Sequence, residues 1–224
     1  MLSLAVCGHP DREHQANQLA QTTNARLVLD TEGVGSTANH IRAWQAAQDD
    51  SATWVGVLED DAIPVGGVLE ELPAMLAHAP TALVSGYLGT GRPEKHQATT
   101  QAALEHDPQW ILSTDLHHHV AVFARAELVP AIIDYLQTTV LPCDTALGVF
   151  ARKRGLPVSY PVPSLFDHAD DAAVIPEVGK RAPVPRRAWR FGTRSSWTGS
   201  NIRLLDRATV NAYGGRYGTT KGMQ

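Results

Sequence analysis

Glu59, Asp60 and Asp61 are three consecutive carboxylates that follow directly on the apolar run Trp54 to Leu58. Such a run has the length of a strand buried on both faces, and the carboxyl end of that kind of strand is where open α/β sheets place their ligands. Hard oxygen donors gathered there suit Mg²⁺ or Mn²⁺, which take a few carboxylates and complete their shells with water or substrate phosphate. A solvated acidic turn is the plainer alternative.

Other groups are placed for related work. Arg12 lies in the loop Gly8-His9-Pro10-Asp11-Arg12 that ends the apolar run Leu2 to Cys7, beside any bound phosphate or base. Asp30 closes a second run and is positioned either to accept ribose hydroxyls or to form a turn. Asn39 and His40 open a helical stretch and are placed to meet a ligand, whereas Ile41 and Trp44 read as core. Asp144 falls where a helix would need its N-cap, a role worth about 1 kcal/mol; the alternative is a general base at the helix mouth. His117-His118-His119 invites a zinc site, but neighbours on a strand alternate faces and no third soft ligand stands near at helical spacing. One of the three is expected to point into the cleft and the others to sit at a strand entrance.

The elements that position these groups follow from hydrophobic period and punctuation. Helices are predicted over 13–23, over 38–48 with Ser36 or Thr37 as N-cap, over 68–79 with Leu69, Leu72, Met75 and Leu76 as the buried stripe, over 127–138, and from about 141. Strands are predicted over 2–7, 25–30, 54–58, 82–89 and 117–123. Residues 90–107 read as an irregular polar loop covering a site. Residues 156–168, interrupted by Pro157, Pro161 and Pro163, read as an edge strand running under the cleft to His168.

At 224 residues with 43% hydrophobic content, the chain can bury a sizeable core. No apolar run is long enough to span a membrane, the N-terminus lacks a secretory pattern, and two distant cysteines give neither a disulfide framework nor a zinc knuckle; a cytoplasmic setting is expected. The net charge of −4 conceals an asymmetry. Residues 1–178 hold 9 Lys/Arg against 22 Asp/Glu, and residues 179–224 hold 10 Lys/Arg against Asp206 alone. In the basic stretch Arg186, Arg187, Arg190 and Arg194 interleave with Trp189, Phe191 and Trp197, the composition of an arm that binds phosphate or nucleic acid, or of one that wraps the acidic body. Little regular structure is expected there beyond a short helix near 202–212.

Five short motifs in order carry a family resemblance over residues 1–176: His9-Pro10-Asp11-Arg12; a strand ending at Asp30; Gly35 to His40 with Trp44 one turn on; Glu59-Asp60-Asp61-Ala62-Ile63-Pro64; and Pro163-Ser164-Leu165-Phe166-Asp167-His168. The chain resembles GT-A-type glycosyltransferases, being similar to small bacteriophage glycosyltransferases and more distantly to the lipopolysaccharide glycosyltransferase family 25. It departs from them after His168, where Asp170-Asp171-Ala172-Ala173 replaces the usual Gly and Ser residues.

The resemblance implies an α/β fold with a GT-A-like open mixed sheet flanked by helices over 1–177; the basic, aromatic-containing extension over 178–224 is read from composition alone. The resemblance also implies a nucleotide-sugar donor bound by His9, Arg12, Asp30, Asn39, Glu59 and Asp60, with Mn²⁺, slightly favoured, or Mg²⁺ on Asp61 and His168. It makes Asp144 the base that deprotonates an acceptor hydroxyl, with inversion at the sugar carbon. The acceptor is modified DNA, a virion protein or a glycan, in host cytoplasm if the gene is a phage's. Two other readings stand beside it: a nucleic-acid-binding module on an inactive scaffold of the same kind, and a metal-dependent nucleotidyltransferase. The missing Gly-rich loop with its Lys speaks against the latter.

Overall fold

The computed structural model describes residues 1–91, 93–169 and 185–205. In chain order the elements are β1 (Leu2–Gly8), α1 (Glu13–Thr23), β2 (Arg26–Leu29), α2 (Ser36–Ala47), β3 (Trp54–Glu59), β4 (Ala62–Pro64), α3 (Val68–Ala77), β5 (Leu83–Ser85), α4 (Glu94–Leu104), β6 (Trp110–Ser113), β7 (Ala121–Arg125), α5 (Val129–Thr138), α6 (Cys143–Lys153), β8 (Val158–Pro161), β9 (Phe166–His168) and β10 (Ile202–Leu204). Eight strands form one mixed sheet in the order β10-β6-β8-β5-β7-β3-β1-β2, and β4 pairs with β9 in a separate two-stranded ribbon. The architecture is α/β, a large mixed sheet flanked by helices.

Side-chain alternation along the strands builds a core on each face of the sheet. Leu4 and Val6 of β1, with Trp110 and Leu112 of β6, face the cluster that holds Leu19 of α1 and Leu72 and Met75 of α3. Ala5 and Cys7, with Ile111, join Trp44 of α2, Ile132 of α5 and Phe150 of α6 on the other face. The parallel strands β1, β2 and β3 deliver their carboxyl ends to one edge. There Gly8 permits close approach of α1: a Cβ at this position would lie 2.8 Å from Leu29 Cδ2 and 2.9 Å from Ala16 Cβ.

Several expectations are corrected. Residues 90–107 are not an irregular cover, because α4 occupies most of them; its Ala, Gln, Glu and Lys favour helix, and it lacks an apolar stripe because only Thr100 and Leu104 are buried. β8 is an interior strand between β6 and β5 rather than an edge. Pro161 is tolerated because it closes the strand, and the next residue resumes pairing through Val162 N–H to Gln109 O at 2.9 Å. His117, His118 and His119 lie in the loop before β7, not on it. Leu69 is 53% exposed, and Val68 takes its place in the buried stripe of α3. The N-cap of α2 is Gly35, at φ +91°, not Ser36 or Thr37, and that of α6 is Pro142, which puts Asp144 inside the first turn. Residues 202–204 form a strand and Leu205 a bend, not the expected helix; 206–212 lie outside the described residues.

The described part of the basic extension, 185–205, is sewn into the body. β10 extends the main sheet in parallel with β6. Trp197 is 5% exposed and packs on Trp110 at a centroid distance of 5.6 Å. Arg187 pairs with Asp167, and Arg190 and Arg194 both pair with Asp107. Opposite charges on tail and body thus meet directly, while Phe191 remains exposed.

Candidate functional site

A cavity of about 520 Å³ opens at the carboxyl ends of β1, β2 and β3. Cys7, Gly8 and His9 enter it from β1, Asp30 from β2, and Glu59, Asp60 and Asp61 from β3; Asn39 and His40 come from α2, Asp144 from α6, and Arg186 from the C-terminal segment.

The acidic triplet divides into three environments. Asp60 sits against the loop after β1, where His9 N–H donates to its Oδ2 at 2.6 Å. The Arg12 guanidinium, at the end of a single 3-10 turn, bridges Asp60 at 3.1 Å and Asp61 at 2.8 Å, with all three side chains nearly buried. Burial pushes the Asp60 carboxyl above its usual range, opposed by the His9 amide and Arg12 and reinforced by Asp61. Asp61 Oδ2 also lies 3.4 Å from His168 Nε2. The β4–β9 ribbon causes that meeting: Ala62 is in register with His168, and Ala169 N–H donates to the Asp61 carbonyl at 2.8 Å. Asp61 Oδ1 is buried and has no hydrogen-bond partner among the described residues.

Glu59 turns the other way, to His40. One imidazole nitrogen, Nδ1, lies 2.9 Å from the Ser36 carbonyl and 3.5 Å from Cys7 Sγ, and Nε2 lies 3.4 Å from Glu59 Oε1. Burial penalises a charged His40, but the sulfurs of Cys7 and Cys143 and the Glu59 carboxylate outweigh it and hold the imidazole well above its ordinary value. Burial likewise lifts Glu59, with His40 opposing and Asp61 and Asp144 adding to the rise.

Asp30 accepts from Val34 N–H and Gly35 N–H, both at 2.8 Å, and so shapes the loop leading into α2. Its carboxyl is held below the usual range: its slight burial opposes this, and the two amides prevail. Asn39 is 2% exposed and its amide bridges Cys7 Sγ, Gly8 O and Val28 O, each at 3.2 Å, so it ties α2 to β1 and β2 at the cavity wall. The His9 ring accepts from Asp11 N–H at 3.2 Å and caps the 3-10 turn that carries Arg12. Asp144 is exposed on the first turn of α6.

The three consecutive histidines diverge. His117 stacks edge-on with His96 at 4.5 Å, His118 with Tyr87 at 4.8 Å, and His119 approaches His40 at 6.5 Å. Burial pulls His118 down to about 3 and His119 to about 4. Among the described residues no group of three or more His, Cys, Asp or Glu is arranged to hold a metal ion, and no helix is long and apolar enough to cross a membrane.

Sequence reasoning missed two features, the Arg12 clamp on the acid pair and the His40–Glu59 contact. For the second a signal existed: His40, Ala43, Trp44 and Ala47 fall at i, i+3, i+4 and i+7, which puts His40 on the buried stripe facing β3. For the first there was none, since nothing in local spacing tells which loop will lie against which strand end.

No known protein family matches this chain, and no curated protein matches it.

Proposed function

We propose that the cleft binds a nucleotide-sugar donor and that the protein is an inverting glycosyltransferase of the GT-A kind. The observation that carries this reading is the convergence, on one cavity at the carboxyl edge of the sheet, of a cation-clamped acid pair and an exposed carboxylate, Asp144, with the buried His168 standing behind Asp61. Open α/β sheets bind nucleotides at this edge.

In this reading the loop ordered by Asp30 and the wall built by Asn39 receive the nucleoside, and Arg12 turns part of its hydrogen-bonding capacity to the diphosphate. Asp144 accepts the proton of an acceptor hydroxyl as its oxygen bonds to the anomeric carbon. The bond from that carbon to the phosphate oxygen breaks on the opposite face, and the nucleoside diphosphate leaves with the electron pair. His40 and Glu59, in contact at 3.4 Å, line the same cavity as Asp144.

The residues present suit a divalent cation, Mn²⁺ or Mg²⁺. Asp61 offers a buried oxygen with no hydrogen-bond partner among the described residues, and the His168 ring stands beside its other oxygen. Asp61 and His168 would hold the ion, which would supply charge neutralisation at the leaving diphosphate.

The test is a thermal-shift panel of nucleotide sugars with and without Mn²⁺, followed by assay of released nucleoside diphosphate. A true donor at a hundred times its Kd stabilises by about 2.7 kcal/mol, a shift of roughly 5–10 °C for a chain of this size. A flat panel with no diphosphate released overturns the proposal.

A further inference from the structure

We infer that Arg186 is a phosphate-binding residue, by which the C-terminal segment completes the cleft. This rests on the glycosyltransferase reading only for the source of the phosphate, the diphosphate of a small-molecule donor.

Among the described residues two arginines line the cavity, Arg12 and Arg186, and their situations differ. Arg12 already answers Asp60 and Asp61 through one guanidinium nitrogen. Arg186 is half-buried and has no carboxylate partner among the described residues, although Arg187, Arg190 and Arg194 of the same segment each have one. The lining carboxylates, by contrast, are largely engaged: Asp60 and Asp61 by Arg12, Glu59 by His40, and Asp30 by two backbone amides. With Asp144, the exposed carboxylate assigned as base, as the exception, the lining acids are already answered, and a cation left over there is placed for an anion from outside.

Its position is fixed by its neighbours. Thr90 N–H donates to Arg187 O at 2.7 Å, and Thr90 Oγ1 donates to Pro185 O at 3.2 Å, so both residues flanking Arg186 are held. Arg187 donates from its guanidinium to His168 O at 3.0 Å, and Ala188 N–H donates to Asp167 Oδ1 at 2.7 Å. The segment is therefore tied to β9, the strand that brings His168 to Asp61, and Arg186 enters the cavity from that side. With the backbone anchored on both flanks, only side-chain freedom is lost on binding, which favours a planar, bidentate phosphate contact.

The experiment is calorimetric titration of the full chain with inorganic pyrophosphate, with uridine, guanosine and cytidine diphosphates, and with a DNA duplex, at fixed salt and with and without Mn²⁺. Wild type is compared with Arg186→Ala, Arg186→Lys and, as a charge-matched control outside the cavity, Lys95→Ala; thermal melts confirm that each is folded. Loss of one charge-assisted contact predicts about 10- to 100-fold weaker pyrophosphate and nucleotide binding in Arg186→Ala, partial recovery in Arg186→Lys, and wild-type binding in Lys95→Ala. Unchanged pyrophosphate binding in folded Arg186→Ala overturns the inference and leaves the glycosyltransferase reading standing. Loss confined to the duplex also overturns it, since the phosphate is then a polymer's. Pyrophosphate binding that depends on Arg186, together with no stabilisation by any nucleotide sugar, sustains the inference and overturns the glycosyltransferase reading.

Discussion

Replacing Arg12 with alanine tests whether the acid pair depends on an internal cation. The side chains of Arg12, Asp60 and Asp61 are 11%, 10% and 13% exposed, and the guanidinium reaches the two carboxylates at 3.1 and 2.8 Å. Removing one partner of a buried pair costs about 3–5 kcal/mol, because the remaining charge is left desolvated. Here Asp60 keeps the 2.6 Å bond from His9 N–H, so we expect the low end, about 3 kcal/mol, or a fall in Tm of roughly 6–12 °C. The assay is urea and thermal unfolding at neutral pH and low salt for Arg12→Ala, Asp61→Asn and the double variant. The double variant should be more stable than the sum of the single losses implies, by about 1–3 kcal/mol, since deleting cation and carboxylate together leaves less unpaired charge. An Arg12→Ala protein within about 1 kcal/mol of wild type, or strict additivity, would refute the account of Arg12 as the counter-ion.

Asp144→Asn should lose about 10²–10⁴-fold in turnover while keeping donor binding and melting temperature, because the side chain is exposed and makes no cap; normal turnover removes it as base. Stability should fall between about pH 6.5 and 3, since His118 and His119, held near 3 and 4 in the fold, take up protons in the unfolded chain first. Their contribution is fully present above the unfolded pKa and is lost as pH drops, so His118→Phe should flatten the acid limb of a Tm–pH profile. Trp197→Ala should cost about 3–5 kcal/mol by opening a hole against Trp110, measured by urea unfolding; a neutral result would mean that the C-terminal segment is not part of the core.

The helix α1 stands at Glu13–Thr23 as its polar pattern implied, and the acidic triplet, Asp30 and the His9–Arg12 loop all fall at strand ends, because burial of a short apolar run and the turn residues after it are properties of a few neighbours. Helix α4 was missed because its evidence is propensity alone, without a buried stripe.

The sequence by itself determined an α/β chain, the carboxylate-bearing strand end, and a basic C-terminal stretch of opposite charge to the body. Only the tertiary structure decided that Arg12 lies between Asp60 and Asp61, that β9 sets His168 beside Asp61, that His40 answers Glu59, and that 185–205 closes onto the body with Arg186 in the cavity. Each of these is a meeting of segments remote in the chain. Local period fixes which face of a strand or helix is buried, but which strands become neighbours, and in what register, depends on the packing of the whole sheet.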